Sequence, residues 1–174
     1  MSDIFHEKGT ERHNEMLYAA MLANPQHTYI ILTKRPGSPL WNHLLGCTTT
    51  WNFKIGTVPL NWWIGVTGEN QRKIDQRLPL LEKMPAQVRF VSVEPMLEPV
   101  NLRPYLSWLS WVIIGCESGP KRRCITTEAI LDLITQCKEA DVPVFVKQME
   151  NQYGELVKMP VIWNGKPLAE FPRV

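Results

Sequence analysis

Short apolar runs alternate along this chain with segments of helical periodicity or long polar connections, and each run ends in polar residues. Met16, Leu17, Ala20 and Met21 recur at helical spacing, so 11–23 is expected to form a helix that packs this face and stops at Asn24-Pro25. TYIILTKRP (28–36) predicts a first strand whose apolar part ends before Lys34 and Arg35. The stretch 37–60 is less regular; it holds Trp41 and Trp51 and has room for a short helix near 40–45. WWIGVTGEN (62–70) predicts a second strand. Ile74, Leu78, Leu81 and Met84 then mark a helix in which Pro79 is expected to cause a bend or start a new turn. VRFVSVEP (88–95) and WVIIGCESG (111–119) predict the third and fourth strands, separated by a proline-punctuated connection over 96–110. Ile130, Leu133, Ile134 and Cys137 make an i, i+3, i+4, i+7 stripe on a helix over 127–140. VPVFVKQME (142–150) predicts a fifth strand, and 151–174 reads as an irregular cap. Strands that are apolar on both faces and alternate with helices predict an α/β fold, a mainly parallel sheet flanked by helices, in one domain spanning 1–174.

The strand ends carry the candidate chemistry. In order along the chain they present Thr33, Lys34 and Arg35; Thr67, Glu69 and Asn70; Ser92 and Glu94; Glu117 and Ser118; Lys147 and Gln148. A parallel sheet gathers these ends on one edge, where open sheets and barrels both place their ligands. The candidate ligand-binding residues are therefore Lys34, Arg35, Glu69, Asn70, Glu94, Glu117, Ser118, Lys147 and Gln148. Carboxylates and cations on one rim could serve as acid, base and anion clamp. Polar residues also appear wherever a strand leaves a core, so solvation is the plain alternative. No residue is assigned a catalytic role. Trp62-Trp63 could offer a stacking platform for a base, but an alternating strand turns one ring inward, and core packing is the simpler use.

Composition narrows the choices further. The 174 residues carry 19 Lys and Arg against 17 Asp and Glu, a net charge of +2 that does not indicate nucleic-acid binding. Lys121, Arg122 and Arg123 form a compact basic cluster that reads as a solvated loop, with specific anion binding as the alternative. Cys47, Cys116, Cys124 and Cys137 include no CxxC pair, so no metal site is expected from them. His6, His13, His27 and His43 lack ligand-like spacing as well. No Walker loop, GxSxG elbow or dinucleotide fingerprint occurs. With neither a signal-peptide pattern nor a long apolar run, the chain is expected to be cytoplasmic, off the membrane and with reduced cysteines.

TKRP, WWIGVTGENQ followed by RLPLL, VRFVSVEPML, WVIIGCESGP and VFVKQM, in this order, resemble the phage Gp thirty-seven/sixty-eight family. The resemblance runs from about Ser2 to Gln148. It implies a phage protein related to radical S-adenosylmethionine (SAM) enzymes, which have a partial or full (β/α) barrel and an N-terminal cysteine motif for an iron–sulfur cluster. This chain departs from that pattern. It lacks the cysteine motif and starts at what resembles the middle of a complete member. Cys116 stands where the family has a second glycine, Gly68 where a larger apolar residue is expected, and Met149 where tryptophan is usual. The resemblance therefore implies a partial barrel without its cluster, and an iron–sulfur cofactor is not expected; SAM or a nucleotide could still bind at the rim. It also implies that the strand at 29–32 has an open edge, which a partner protein or a homo-oligomer would cover. Two functions follow as expectations: a remnant that binds a nucleoside or anionic ligand at the rim, or a cofactor-free protein-binding module such as a phage inhibitor of a host defence complex.

Overall fold

The computed structural model describes residues 3–50, 58–151, 153, 155–158 and 161–173, with side chains for all of these except 45–50. Trp51 and the Cys47 side chain lie outside the described residues. In chain order the elements are α1 (Glu11–Ala23), β1 (Tyr29–Thr33), α2 (Pro39–Thr50), β2 (Trp62–Thr67), α3 (Gln71–Glu82) and β3 (Arg89–Val93). There follow β4 (Trp111–Gly115), α4 (Thr127–Glu139), β5 (Val144–Glu150), β6 (Leu156–Lys158), β7 (Ile162–Trp163) and β8 (Lys166–Pro167).

Six strands form one sheet in the order β1-β2-β3-β4-β5-β6, while β7 and β8 make a separate hairpin. The first five are parallel, and β6 runs antiparallel to β5. The sheet is open, with β1 and β6 at its two ends, so the fold is α/β and compatible with a partial barrel.

Strand alternation divides the sheet into two faces. Ile64, Val66, Val91, Val93, Val112, Ile114, Val144 and Val146 lie in one cluster with the buried stripes of the helices. From α4 these are Ile130, Leu133, Ile134 and Cys137, all fully buried, as the periodicity predicts. The opposite face holds a smaller cluster of Trp63, Val88, Phe90 and Trp111, with Ile113 and Phe145 packed against it. Phe90 and Trp111 have ring centroids 5.5 Å apart, and Phe171 of the tail stacks 5.5 Å from Trp111. Trp62 and Trp63 go to opposite faces, both buried, so this pair offers no exposed stacking platform.

Several expectations need correction. The buried face of α1 is Asn14, Tyr18 and Met21, whereas Met16 and Leu17 are exposed. The Asn14 amide donates to the Tyr18 hydroxyl at 3.2 Å, so a polar residue enters the stripe that apolar periodicity alone had placed elsewhere. α2 runs twelve residues, Pro39–Thr50, and so is longer than the short helix expected near 40–45. α3 runs through Pro79 as one element, so of the two expectations for that proline a separate new turn is excluded. The tail carries three short strands within its otherwise irregular course. β6 pairs with β5, and β7 turns into β8 through Asn164 and Gly165, both at positive φ (47° and 76°), the backbone that a two-residue hairpin turn requires.

Candidate functional site at the C-terminal rim of the sheet

Glu94, just beyond β3, gathers the centre of the rim. Its carboxylate lies across β4 at Gly115, where a Cβ would stand 3.1 to 3.3 Å from the Glu94 side chain. Glycine here lets the carboxylate settle on the backbone. Lys147 Nζ reaches Glu94 Oε1 at 2.8 Å. The Gln148 amide donates to the same oxygen at 3.3 Å and to the Cys116 carbonyl at 2.7 Å. Two consecutive strand residues would ordinarily point to opposite faces. Here the register shifts between Ile114 and Gly115, so that Gly115 pairs with Gln148, and this irregularity brings both side chains to one carboxylate.

A second group forms beyond β2. Arg77, buried on α3, donates to the Thr67 carbonyl and to Glu69 Oε2, both at 2.6 Å. Lys34 approaches the other oxygen of Glu69 at 3.5 Å. Burial pushes the Glu69 pKa upward, but its own backbone N–H and the charges of Arg77 and Lys34 outweigh that and hold it below the ordinary range. Gly68 lets α3 sit close to the strand, since a Cβ there would be 2.6 Å from Ile74 Cγ1. A larger residue at this position would push α3 away and move Arg77 with it.

Other candidate residues have local duties. Arg35 pairs with Asp3 at 3.2 Å, and the Asp3 carboxylate also accepts from the Thr33 hydroxyl and the Lys34 N–H. Burial of Asp3 opposes ionisation, yet these hydrogen bonds together hold its pKa below the usual value. Asn70 caps α3 through a 2.9 Å bond from Lys73 N–H. Glu117 accepts from the backbone and guanidinium of Arg123, which depress its pKa to about 2, and this closes a loop within 117–123. Ser118 is exposed in that loop. Arg122 donates to Glu150 at 2.5 Å. The structure thus joins Glu94, Lys147 and Gln148, joins Glu69 with Lys34, and leaves Arg35, Asn70 and Glu117 in contacts outside those two groups.

Between the two groups lie Thr67 and Ser92, paired across β2 and β3 and exposed by only 3% and 2%. Alternation puts both on the Phe90 face. Neither hydroxyl has a hydrogen-bond partner among the described residues. Neither oxygen is sealed from solvent, so each hydroxyl can both donate to and accept from a polar group that replaces water there. Arg77 and Asp3 were absent from the candidates. Arg77 does fall on the buried stripe of α3 with Ile74, Leu78 and Leu81, and a charge on such a stripe signals an internal partner. Asp3 has no comparable signal.

The described cysteines do not suit a cluster. Cys137 is enclosed by the α4 stripe, and burial lifts its thiol pKa to about 12. Burial also raises the Cys116 pKa, and Cys124 is exposed. No group of three His, Cys, Asp or Glu side chains able to hold a metal occurs among the described residues. No described helix is long and apolar enough to cross a membrane.

No curated protein and no solved structure matches this chain. The family described as "Protein of unknown function (DUF5131)" matches residues 1–169, and the chain belongs to that family.

Proposed function

We propose that the chain is a phage-type, radical-SAM-like partial barrel that binds a small hydroxylated and charged ligand, of the nucleoside class, at the C-terminal rim of its sheet. The observation that carries this reading is the pair of Thr67 and Ser92 hydroxyls, without a hydrogen-bond partner among the described residues and set between the Glu69–Lys34 and Glu94–Lys147 pairs. The hydroxyls suit a ribose or base edge. Each carboxylate could accept from ligand hydroxyls or an amine, and each lysine could turn toward a carboxylate or phosphate. The arrangement supports binding, without a group assigned to bond breaking.

The test is calorimetric titration with SAM, 5′-deoxyadenosine, methionine, AMP and ATP. At least one nucleoside-bearing compound should bind with a Kd below about 1 mM. Ser92→Ala and Glu94→Gln should each weaken it about tenfold or more, roughly the loss of one hydrogen bond to a charged or buried group. Failure of every compound to bind, or binding unchanged in both variants, would sink the proposal.

A further inference from the structure

The two edges of the sheet are treated differently. Beyond β5, the edge is closed by β6 and by the tail. Val146 N–H donates to the Leu168 carbonyl at 2.8 Å, and Glu170 N–H to the Val144 carbonyl at 3.1 Å. β1 pairs only with β2 among the described strands. Tyr29 N–H donates to the Asn61 carbonyl at 2.8 Å, which sets the ladder so that Tyr29, Ile31 and Thr33 bond toward β2. The N–H and C=O groups of Ile30 and Leu32 consequently face outward.

A groove of about 700 Å³ runs along this edge, with Leu17 and Met21 of α1 and Ile4 on one wall. Ile30, Leu32 and Leu17 are 53%, 39% and 37% exposed, so apolar side chains flank the free backbone groups. The charges are unequal at the C-terminal end. Asp3 is neutralised by Arg35, and Glu69 is satisfied by Arg77 at 2.6 Å. Lys34, 3.5 Å from Glu69 and with its side chain 52% exposed, leaves a positive excess there.

We infer that the free edge of β1 receives an extended strand of a partner protein, apolar at alternate positions and carrying a carboxylate where it reaches Lys34. The backbone groups of Ile30 and Leu32 call for a strand rather than a helix, the flanking side chains for apolar residues, and the excess charge for an acid. This inference does not depend on the ligand reading, although Lys34, Glu69 and Thr67 lie where the groove meets that site.

The probe is a fluorescein-labelled Thr-Val-Thr-Val-Glu peptide and its lysine-ended twin, titrated by anisotropy against the full chain. The acidic peptide should bind with a Kd below about 1 mM and slow amide exchange at Ile30 and Leu32 at least tenfold. Leu32→Pro removes an N–H that β2 does not use, so it should keep the fold and abolish binding. If that variant fails to fold, Lys34→Glu decides alone, because it should reverse the preference toward the lysine-ended peptide. Three results would overturn the inference: no binding by either peptide, binding unchanged by Leu32→Pro and by Lys34→Glu, or a dimer that Leu32→Pro dissolves, which would assign the edge to a second copy.

Discussion

Gly65→Ala should be costly, because Phe90 lies across β2 where that methyl group would go. An ideal Cβ on Gly65 would stand 2.5 Å from Phe90 Cε2 and Cζ and 2.6 Å from Cδ2. Ordinary carbon contacts begin near 3.5 Å, so about 1 Å of overlap must be relieved. The ring has little space to retreat: Phe90 is fully buried, with Trp111 at 5.5 Å between centroids. Overpacking of this kind costs about 1–3 kcal/mol, partly offset by about 0.4–1 kcal/mol from the stiffer unfolded chain. An overlap of about 1 Å against an enclosed ring belongs in the upper half of that range, about 2–3 kcal/mol, so the expected net loss is about 1–2.5 kcal/mol, or a fall in Tm of about 2–10 °C for a chain of this size. Urea unfolding followed by tryptophan fluorescence reads the loss as a lower midpoint with an unchanged slope. Phe90→Leu should partly rescue the variant, since the smaller side chain removes the atoms that clash. The double variant should then be more stable than the two single losses predict by about 1 kcal/mol or more. A Gly65→Ala chain within about 0.5 kcal/mol of wild type, or strict additivity with Phe90→Leu, would refute the placement of Phe90 across β2.

Three further outcomes follow from the rim. Arg77→Met removes both 2.6 Å bonds and strands the Thr67 carbonyl and Glu69, so urea unfolding should show a loss of about 3 kcal/mol, with Arg77→Lys intermediate. Asp3 and Glu69 have folded-state pKa values held below their ordinary 3.8 and 4.5, so their stabilisation is full above those values and is lost as pH falls through the lower folded ones. Asp3→Asn should therefore flatten the fall in stability below pH 4, and an acid titration with the wild-type slope would contradict the assignment. Brief alkylation of the native chain, mapped by peptide mass, should modify Cys124 and spare the buried Cys116 and Cys137 until urea is added. Early modification of Cys137 would show that the α4 stripe is not closed.

The sheet was legible because its strands are apolar on both faces and its helices repeat at 3.6 residues; both signals survive without knowledge of contacts. Errors arose where a polar group satisfied another inside the structure. Asn14 bonds to Tyr18 on the buried face of α1, while Met16 and Leu17 face outward. The tail was missed for a different reason. Its strands are only two or three residues long, too short for alternation to register, although Asn164-Gly165 is a strong turn signal. Short strands against an existing edge take their order from the edge itself.

At the rim, alternation was a good guide to which strand ends meet and a poor guide to which side chains do. Parity sends Lys147 and Gln148 to opposite faces, and only the register shift beside Gly115 brings both to Glu94. Parity also puts Glu117 on the ligand face, yet Arg123, six residues along, supplies three donors and holds it within its own loop. A local partner at short sequence separation outcompetes a distant one because closing a short loop costs less entropy. The rim that results is two carboxylate–lysine pairs rather than one continuous ring of charge. Each pair is drawn inward by an element that strand patterning does not reveal: α3 through Arg77 for Glu69, and the β5 irregularity for Glu94. Thr67 and Ser92 lie between the pairs because they are register partners on the central strands, and their hydroxyls have no hydrogen-bond partner among the described residues.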